Sequence, residues 1–180
     1  MPSVKRASAS IAEPALVHLD ALYNFARYLS GSDAEAEDLV QETYARALGN
    51  DAQFEAGTNL RAWLFRILRN AFLDGRRRAQ RSPIVAGADM IDGSVGGDPD
   101  REPLRGDEEL ELLRGVVSDD IAAALLALSP DARAIVLLDL EGLSETELAS
   151  VLGCALGTVK SRLARARAAL RETLRDYSKG

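Results

Sequence analysis

A break in the middle of the chain limits the size of any domain that it forms. Residues 83–107, PIVAGADMIDGSVGGDPDREPLRGD, are rich in glycine, proline and aspartate and have no sustained hydrophobic period. Such a segment buries too little apolar surface to offset the entropy that is lost on ordering. The sequence therefore predicts a flexible acidic linker over 83–107, which joins two small domains, 10–82 and 108–180.

Helical periodicity dominates both sides of this linker. Alanine, leucine and arginine are abundant, aromatic residues make up only 5% of the chain, and no stretch has the pattern of a strand. We predict an all-α fold of two small helical bundles. The predicted helices cover residues 13–29, 34–48 and 60–80 in the first bundle, and 108–128, 130–141, 144–153 and 156–177 in the second.

Two of these helices have a clear apolar stripe at helical spacing. In the first helix the predicted core residues are Leu16, Leu19, Leu22, Tyr23 and Ala26. In the helix over 60–80 they are Leu60, Trp63, Leu64, Ile67 and Ala71, with Leu68 and Phe72 widening the stripe.

The segment over 144–167 has the pattern of a helix-turn-helix. Ser144 and Glu147 form a capping box for a short first helix. Ala149 allows a close helix crossing, Gly153 suits the turn, and Val159 follows six residues later on the buried side of the second helix. This spacing predicts a DNA-binding motif.

The second helix of this motif has a basic face opposite its apolar stripe. The predicted stripe contains Leu156, Val159, Leu163, Ala166, Leu170 and Leu174. Hydroxyl and cationic groups near the start of such a helix suit base edges and phosphates in a major groove. We predict that the DNA-contacting residues are Thr158, Lys160, Ser161, Arg162 and Arg165. The alternative is an ordinary amphipathic helix with a solvated basic face.

The helix over 60–80 has a second basic face and a basic end, in which Arg76 and Arg81 also lie. Its cations suit a phosphate backbone, while Asn70 and Asp74 offer donors and acceptors to bases. The predicted contact residues are Arg66, Arg69, Asn70, Asp74, Arg77 and Arg78. The alternative is that basic residues at this end only complement the helix dipole.

Charge is unevenly distributed along the chain. The net charge is −6, but residues 83–120 alone carry 3 basic and 11 acidic residues, whereas each flanking segment has a net charge of +1. A global charge argument against nucleic-acid binding therefore fails, because binding depends on local clusters. The helix over 34–48 is acidic at its start, which is either ordinary helix design or a surface for a basic protein partner.

The composition excludes several function classes. His18 and Cys154 are the single histidine and the single cysteine, so a disulfide framework and a cysteine-rich zinc site are excluded. No carboxylate pair lies in a recognisable catalytic frame, and we predict no enzyme, metal, cofactor or small-molecule substrate. Neither a membrane-spanning run nor a signal-peptide core is present in the sequence, which predicts a cytoplasmic protein without membrane insertion.

Three stretches together resemble the extracytoplasmic-function (ECF) sigma factors of bacterial RNA polymerase, in the sigma-70 superfamily. They are DAEAEDLVQETYARAL at 33–48, GTNLRAWLFRILRNAFLDGRRR at 57–78, and the segment from Leu128 to Leu170 that contains the helix-turn-helix. The amino-acid sequence of the second stretch particularly resembles that of the general-stress-response subgroup of alphaproteobacteria. One departure is Ala155, where the family often has proline after the cysteine of the turn.

The resemblance implies a role for each stretch. The first is similar to sigma region 2.2, which implies that Asp38, Gln41 and Glu42 dock on core RNA polymerase. The second is similar to regions 2.3 and 2.4, which implies that its helix melts and recognises the minus-ten element, with a base pocket near the loop over 50–58. The third is similar to region 4, which implies recognition of the minus-thirty-five element.

The leading interpretation is thus an alternative sigma factor with core polymerase, promoter DNA and an anti-sigma factor as partners, serving a stress response. One alternative is a sigma mimic that binds an anti-sigma factor without reading DNA, and another is a stand-alone helix-turn-helix regulator. We also expect the two domains to pack together in a free or inhibited state, hiding both DNA-reading faces, and to separate on the polymerase.

Overall fold

The computed structural model describes residues 11–81 and 119–177, and every regular element within these ranges is helical. The all-α prediction and the division into two helical domains are confirmed. The predicted linker, 83–107, and the first part of the helix predicted over 108–128 lie outside the described residues.

The first bundle contains four helices and a short 3₁₀ turn. These are α1 (Ala12–Leu16), α2 (Leu19–Ser30), α3 (Asp33–Gly49), the 3₁₀ turn Asp51–Gln53, and α4 (Leu60–Arg81). Helices α2, α3 and α4 pack on one another around Phe25 and Phe65, whose rings meet edge to face at a centroid distance of 5.1 Å. Both rings are fully buried and form the centre of this bundle.

The single helix predicted over 13–29 is wrong, because the chain turns at Val17 and His18. His18 leaves the helical region with φ −100° and ψ 5°, and α2 starts at Leu19. The residues before the turn therefore do not continue the apolar stripe of α2. Leu16 and Leu19, both predicted to lie in the core, are 59% and 42% exposed, whereas Leu22 and Ala26 are fully buried as predicted.

The end of α2 and the start of α3 follow the predicted signals. Gly31 terminates α2 in the left-handed conformation at φ 80°. The Ser32 hydroxyl oxygen accepts the backbone N–H of Glu35 at 3.3 Å and caps α3.

The buried stripe of α4 is rotated from the predicted one. Leu64, Leu68, Ala71 and Phe72 are buried as expected, but Phe65, which was not predicted, is also fully buried. The predicted core residues Leu60, Trp63 and Ile67 are only partly buried against this core. The shift arises because α4 packs against helices on more than one side.

The second bundle comprises α5 (residues 119–127), α6 (Pro130–Leu140), α7 (Glu145–Leu152) and α8 (Leu156–Tyr177). The Ser129 hydroxyl caps α6 by accepting the Ala132 N–H at 3.3 Å, with Pro130 in the first turn. Helix α8 packs on both α6 and α7.

The helix-turn-helix prediction is confirmed in α7 and α8. Ser144 and Glu147 form the predicted capping box, and Gly153 adopts the left-handed conformation at φ 65°. Val159 is fully buried and holds the two helices together. Leu156, predicted to lie in the buried stripe of α8, is instead 40% exposed at the first position of the helix.

The two bundles pack directly against each other. Helix α7 lies on α4, and α6 lies on α2. Buried residues of both bundles belong to one continuous apolar cluster. The described part of the chain is therefore held as one unit.

Candidate nucleic-acid interface

The basic face of α8 points into solvent. Lys160, Ser161, Arg162 and Arg165 are exposed, and Thr158 is half-buried. Packing of the two bundles leaves this face open, so the expectation that both DNA-reading faces are hidden in the packed state is wrong for α8. The buried residues Val159 and Leu163 occupy the opposite side of the helix and fix its orientation.

Two ion pairs fasten α8 to the rest of its bundle. Arg167 donates to the Asp139 carboxylate of α6 through Nη2 at 2.5 Å and Nε at 3.2 Å. Lys160 Nζ lies 3.4 Å from Glu145 Oε2 in α7. The Arg167 pair holds the helix on its scaffold, which leaves Arg162 and Arg165 at the surface to meet a phosphate or a base edge.

The six residues predicted on α4 do not all share one open surface. Arg66, Asn70, Arg77 and Arg78 are exposed. They follow one another along the helix and provide cationic and amide groups for a nucleic-acid backbone.

Arg69 is turned toward the second bundle instead. Its side chain is only 11% exposed, and Nη2 lies 3.1 Å from Asp131 Oδ1 at the start of α6. Its Nε is buried and has no hydrogen-bond partner within the described residues. In this arrangement Arg69 faces a carboxylate and not solvent.

Asp74 lies between two arginines. Its Oδ2 is 3.4 Å from Arg46 Nη1 of α3, and its Oδ1 is 3.6 Å from Arg77 Nη1. Asp74 therefore links α3 to α4 in this structure and also holds Arg77 near the helix surface.

An aromatic pair stands beside the loop predicted to form a base pocket. Phe54, just after the 3₁₀ turn, and Trp63 of α4 are both half-buried, with ring centroids 5.4 Å apart. Partly exposed aromatic rings next to a basic face provide surfaces on which unpaired bases stack. Helical periodicity predicts Trp63 as a core residue, and no pattern in the sequence marks Phe54.

The predicted polymerase-docking residues line one exposed side of α3. Asp38 and Gln41 are exposed, and Glu42 is exposed while pairing with Arg46 Nε at 2.6 Å. The hydrogen bond from Arg46 to Glu42 raises the pKa of the arginine further and keeps the pair fully charged. This acidic side stays open when the bundles are packed.

Three polar residues of α4 and its N-cap meet carboxylates of the second bundle. The Asn59 amide donates to Glu147 Oε1 at 2.5 Å, Arg61 pairs with Glu141 and also donates to its backbone carbonyl at 2.8 Å, and Arg69 pairs with Asp131. No local pattern in the sequence indicates these contacts, because their partners lie 62 to 88 residues apart.

The fold and its two basic faces define a two-region sigma-type protein, and comparison with known proteins agrees. The family "Sigma-70 region 2" matches residues 16–82, and "Sigma-70, region 4" matches residues 118–170. The chain belongs to the extracytoplasmic-function (ECF) sigma factors.

Individual relatives and structures show the same likeness. Over 162 residues, 89% of this chain, it is 40% identical to the ECF RNA polymerase sigma factor SigE of Mycolicibacterium smegmatis and 39% identical to EcfG of Rhodopseudomonas palustris. The alignments span 60% and 83% of those proteins. A solved complex of the sigma factor RpoE with the anti-sigma factor NepR from Bartonella quintana superposes with a TM-score of 0.73 at 35% identity, covering 92% of this chain and 96% of that one.

Among the helices within residues 11–81 and 119–177, none combines the length and apolar character that crossing a bilayer requires.

Proposed function

We propose that this chain is an alternative sigma factor that binds core RNA polymerase and directs promoter-specific initiation of transcription. The observation that carries the proposal is the combination, in one chain, of an exposed basic face on α8, an exposed basic face on α4 and an open acidic side on α3. A sigma factor requires all three, because it must hold the polymerase and contact two promoter elements at once.

Each surface has its own part in this function. Asp38, Gln41 and Glu42 dock on the polymerase. Helix α4 and the Phe54–Trp63 pair bind and open the minus-ten element, and α8 reads the minus-thirty-five element. Phosphate contacts supply much of the affinity, while base contacts supply the specificity. The protein contributes recognition to the polymerase and performs no catalytic step of its own.

The proposed partners include an anti-sigma factor. The RpoE structure that this chain resembles is a complex with the anti-sigma factor NepR. The resemblance of residues 57–78 to the general-stress-response subgroup supports a role in a cytoplasmic stress response, in which a similar regulator would hold this chain inactive until released.

The sigma-mimic and stand-alone-regulator alternatives fit the surfaces less well. A decoy that never reads DNA has no use for the exposed cations Arg66, Arg162 and Arg165. A stand-alone regulator has no use for the acidic side of α3. Both alternatives therefore leave at least one of the three surfaces without a purpose.

Capture on immobilised core polymerase, followed by promoter binding, tests the proposal. We expect the chain to bind the core enzyme and the resulting holoenzyme to retain a specific subset of promoter fragments. A mimic would bind an anti-sigma factor but select no promoter, and a stand-alone regulator would select DNA equally well without polymerase.

A further inference from the structure

Arg133 is a buried arginine whose described hydrogen-bond partners are all backbone carbonyls. It lies in the first turn of α6 and is only 7% exposed. Within its own bundle, Nε donates to Leu125 O at 2.8 Å, and Nη2 donates to Leu126 O at 2.8 Å and Leu128 O at 3.1 Å. These carbonyls end α5 and the turn after it.

The same guanidinium also reaches the other bundle. Nη1 donates to Leu29 O at 2.6 Å, and it lies 3.5 Å from Tyr28 O. Both carbonyls belong to the last turn of α2. The cation therefore bridges the C-terminal ends of α2 and α5, where the helix dipoles present partial negative charge.

Backbone carbonyls are the partners that keep this charge stable in a buried position. Burial lowers the pKa of Arg133, with a smaller contribution from the nearby charge of Arg76. Arginine nevertheless stays protonated in proteins, so the burial of this charge is offset by its five carbonyl contacts. Within the described residues no carboxylate pairs with it.

A close apolar contact lies beside this bridge. A Cβ at Gly31, the residue that ends α2, would stand 2.8 Å from Leu126 Cδ2 of α5. Leu126 therefore rests directly on the glycine. The contact and the Arg133 hydrogen bonds together join the end of α2 to the end of α5, and we call this set of contacts the Arg133 joint.

The Arg133 joint differs in kind from the ion pairs that the arginines of α4 form with carboxylates of the second bundle. The ion pairs of Arg61 with Glu141 and of Arg69 with Asp131 leave part of each side chain in solvent. Salt screens such pairs, and their net contribution to the free energy of association between the bundles is small. Hydrogen bonds from a buried guanidinium to carbonyls are screened much less.

We propose that, among the polar contacts between the two bundles, the Arg133 joint is the one that keeps them closed over their shared apolar core, and that the ion pairs at α4 only set their register. Opening breaks the bonds to Leu29 and Tyr28 but leaves the three within the second bundle, so that bundle stays folded. This inference does not depend on the proposed function, because it concerns a contact inside the free chain.

Spin labels at Ala45 and Ala164, exposed positions of α3 and α8, report the distance between the bundles in the full chain. Cys154 is replaced by serine, so that the spin labels attach only at cysteines introduced at positions 45 and 164. Distance distributions are measured by pulsed electron resonance at low salt and at 1 M NaCl. The variants are Arg133→Met, the pair Arg61→Met with Arg69→Met, and Arg167→Met as a matched control within one bundle.

We expect one short distance in the parent at both salt concentrations. Arg133→Met should lower the ratio of closed to open chains by about tenfold or more, because a charge-assisted bond between the bundles is lost. The double variant and Arg167→Met should keep the short distance. An Arg133→Met chain that stays closed, or a double variant that opens as far as Arg133→Met, would overturn the proposal.

A second variant covers the case in which Arg133→Met loses helicity. Leu126→Ser keeps the guanidinium and the backbone carbonyl at this position and removes the side chain that rests on Gly31. We expect it to add a longer distance at unchanged circular dichroism. A short distance retained by this variant at 1 M NaCl would likewise overturn the proposal.

Discussion

Asn59 and Glu147 join the first turns of two helices that belong to different bundles. The Asn59 Oδ1 accepts the Ala62 N–H at 3.2 Å and caps α4, while its amide donates to Glu147 Oε1 at 2.5 Å. The other Glu147 oxygen accepts the backbone N–H of Ser144 at 2.7 Å in the capping box of α7. One pair of side chains thus completes both helix N-termini and spans the interface.

The first prediction concerns acid stability. Hydrogen bonds from Asn59, and then from the Ser144 N–H and hydroxyl, hold the pKa of Glu147 below its ordinary value of 4.5. The contribution of the Glu147 carboxylate to the free energy of unfolding is therefore fully present above about pH 4.5. It is lost as the pH falls through the lower pKa of the folded state. We expect Glu147→Gln to lower stability at pH 7 by about 0.5–1 kcal/mol. The difference from wild type should shrink as the pH falls toward 3, as measured by urea unfolding.

Glu145→Gln is the control for this prediction. Glu145 occupies the same first turn of α7, but it pairs with Lys160 at the surface. We expect it to leave the acid dependence of stability unchanged. Equal acid dependence of wild type and Glu147→Gln would show that this carboxylate is not held in its charged form by the interface.

The second prediction concerns the basic face of α8. Arg162→Ala and Arg165→Ala should each weaken binding to minus-thirty-five DNA by about 1–3 kcal/mol if the arginine contacts a base edge, and by less if it contacts only phosphate. Circular dichroism should stay unchanged because both side chains are exposed. Arg171→Ala, farther along α8, is the control. Unaltered DNA affinity in both test variants would reject α8 as the recognition helix.

The third prediction compares an exposed arginine of α4 with a paired arginine of α2. Arg66 is exposed, so Arg66→Ala should lower affinity for minus-ten DNA in all sequences and reduce the salt dependence of binding by about one unit in the log–log slope. Arg27→Ala removes the same charge from α2, where Arg27 pairs with Asp33 at 2.8 Å. That control should leave the slope unchanged. Equal slopes for Arg66→Ala and wild type would show that Arg66 does not meet a phosphate.

The fourth prediction addresses the acidic side of α3. Asp38→Arg, or Gln41→Ala combined with Glu42→Arg, should weaken binding to core polymerase measured by pull-down. Asp20→Arg makes the same charge reversal on α2 and should bind normally. Promoter affinity of the free chain should not change in any of them. Normal polymerase capture by both test variants would place the docking surface elsewhere.

Local signals in the sequence were sufficient to predict most helix boundaries. Gly31, Ser129, the Ser144–Glu147 capping box and Gly153 each act on the backbone within four residues of themselves, so their effect can be read without knowing the fold. The exposed positions of Arg162 and Arg165 followed from helical periodicity for the same reason.

Contacts between distant residues could not be predicted in this way. Arg133 has no distinguishing neighbour in the sequence, and its bond to Leu29 spans 104 residues. Phe65 was missed because the periodicity of α4 fits one apolar stripe, whereas the helix packs on several sides. The break at His18 was missed because apolar residues at helical spacing continue across it and no glycine or proline stands at the turn.

Transcription in vitro from a pool of promoters, with core polymerase and this chain, is the most direct test of the proposed function. We predict that the chain directs initiation from a discrete subset of promoters, and that Arg162→Ala with Arg165→Ala reduces this output at promoters with a minus-thirty-five element. Binding to core polymerase without any promoter-specific transcript, or transcripts that are identical without the chain, would contradict the account.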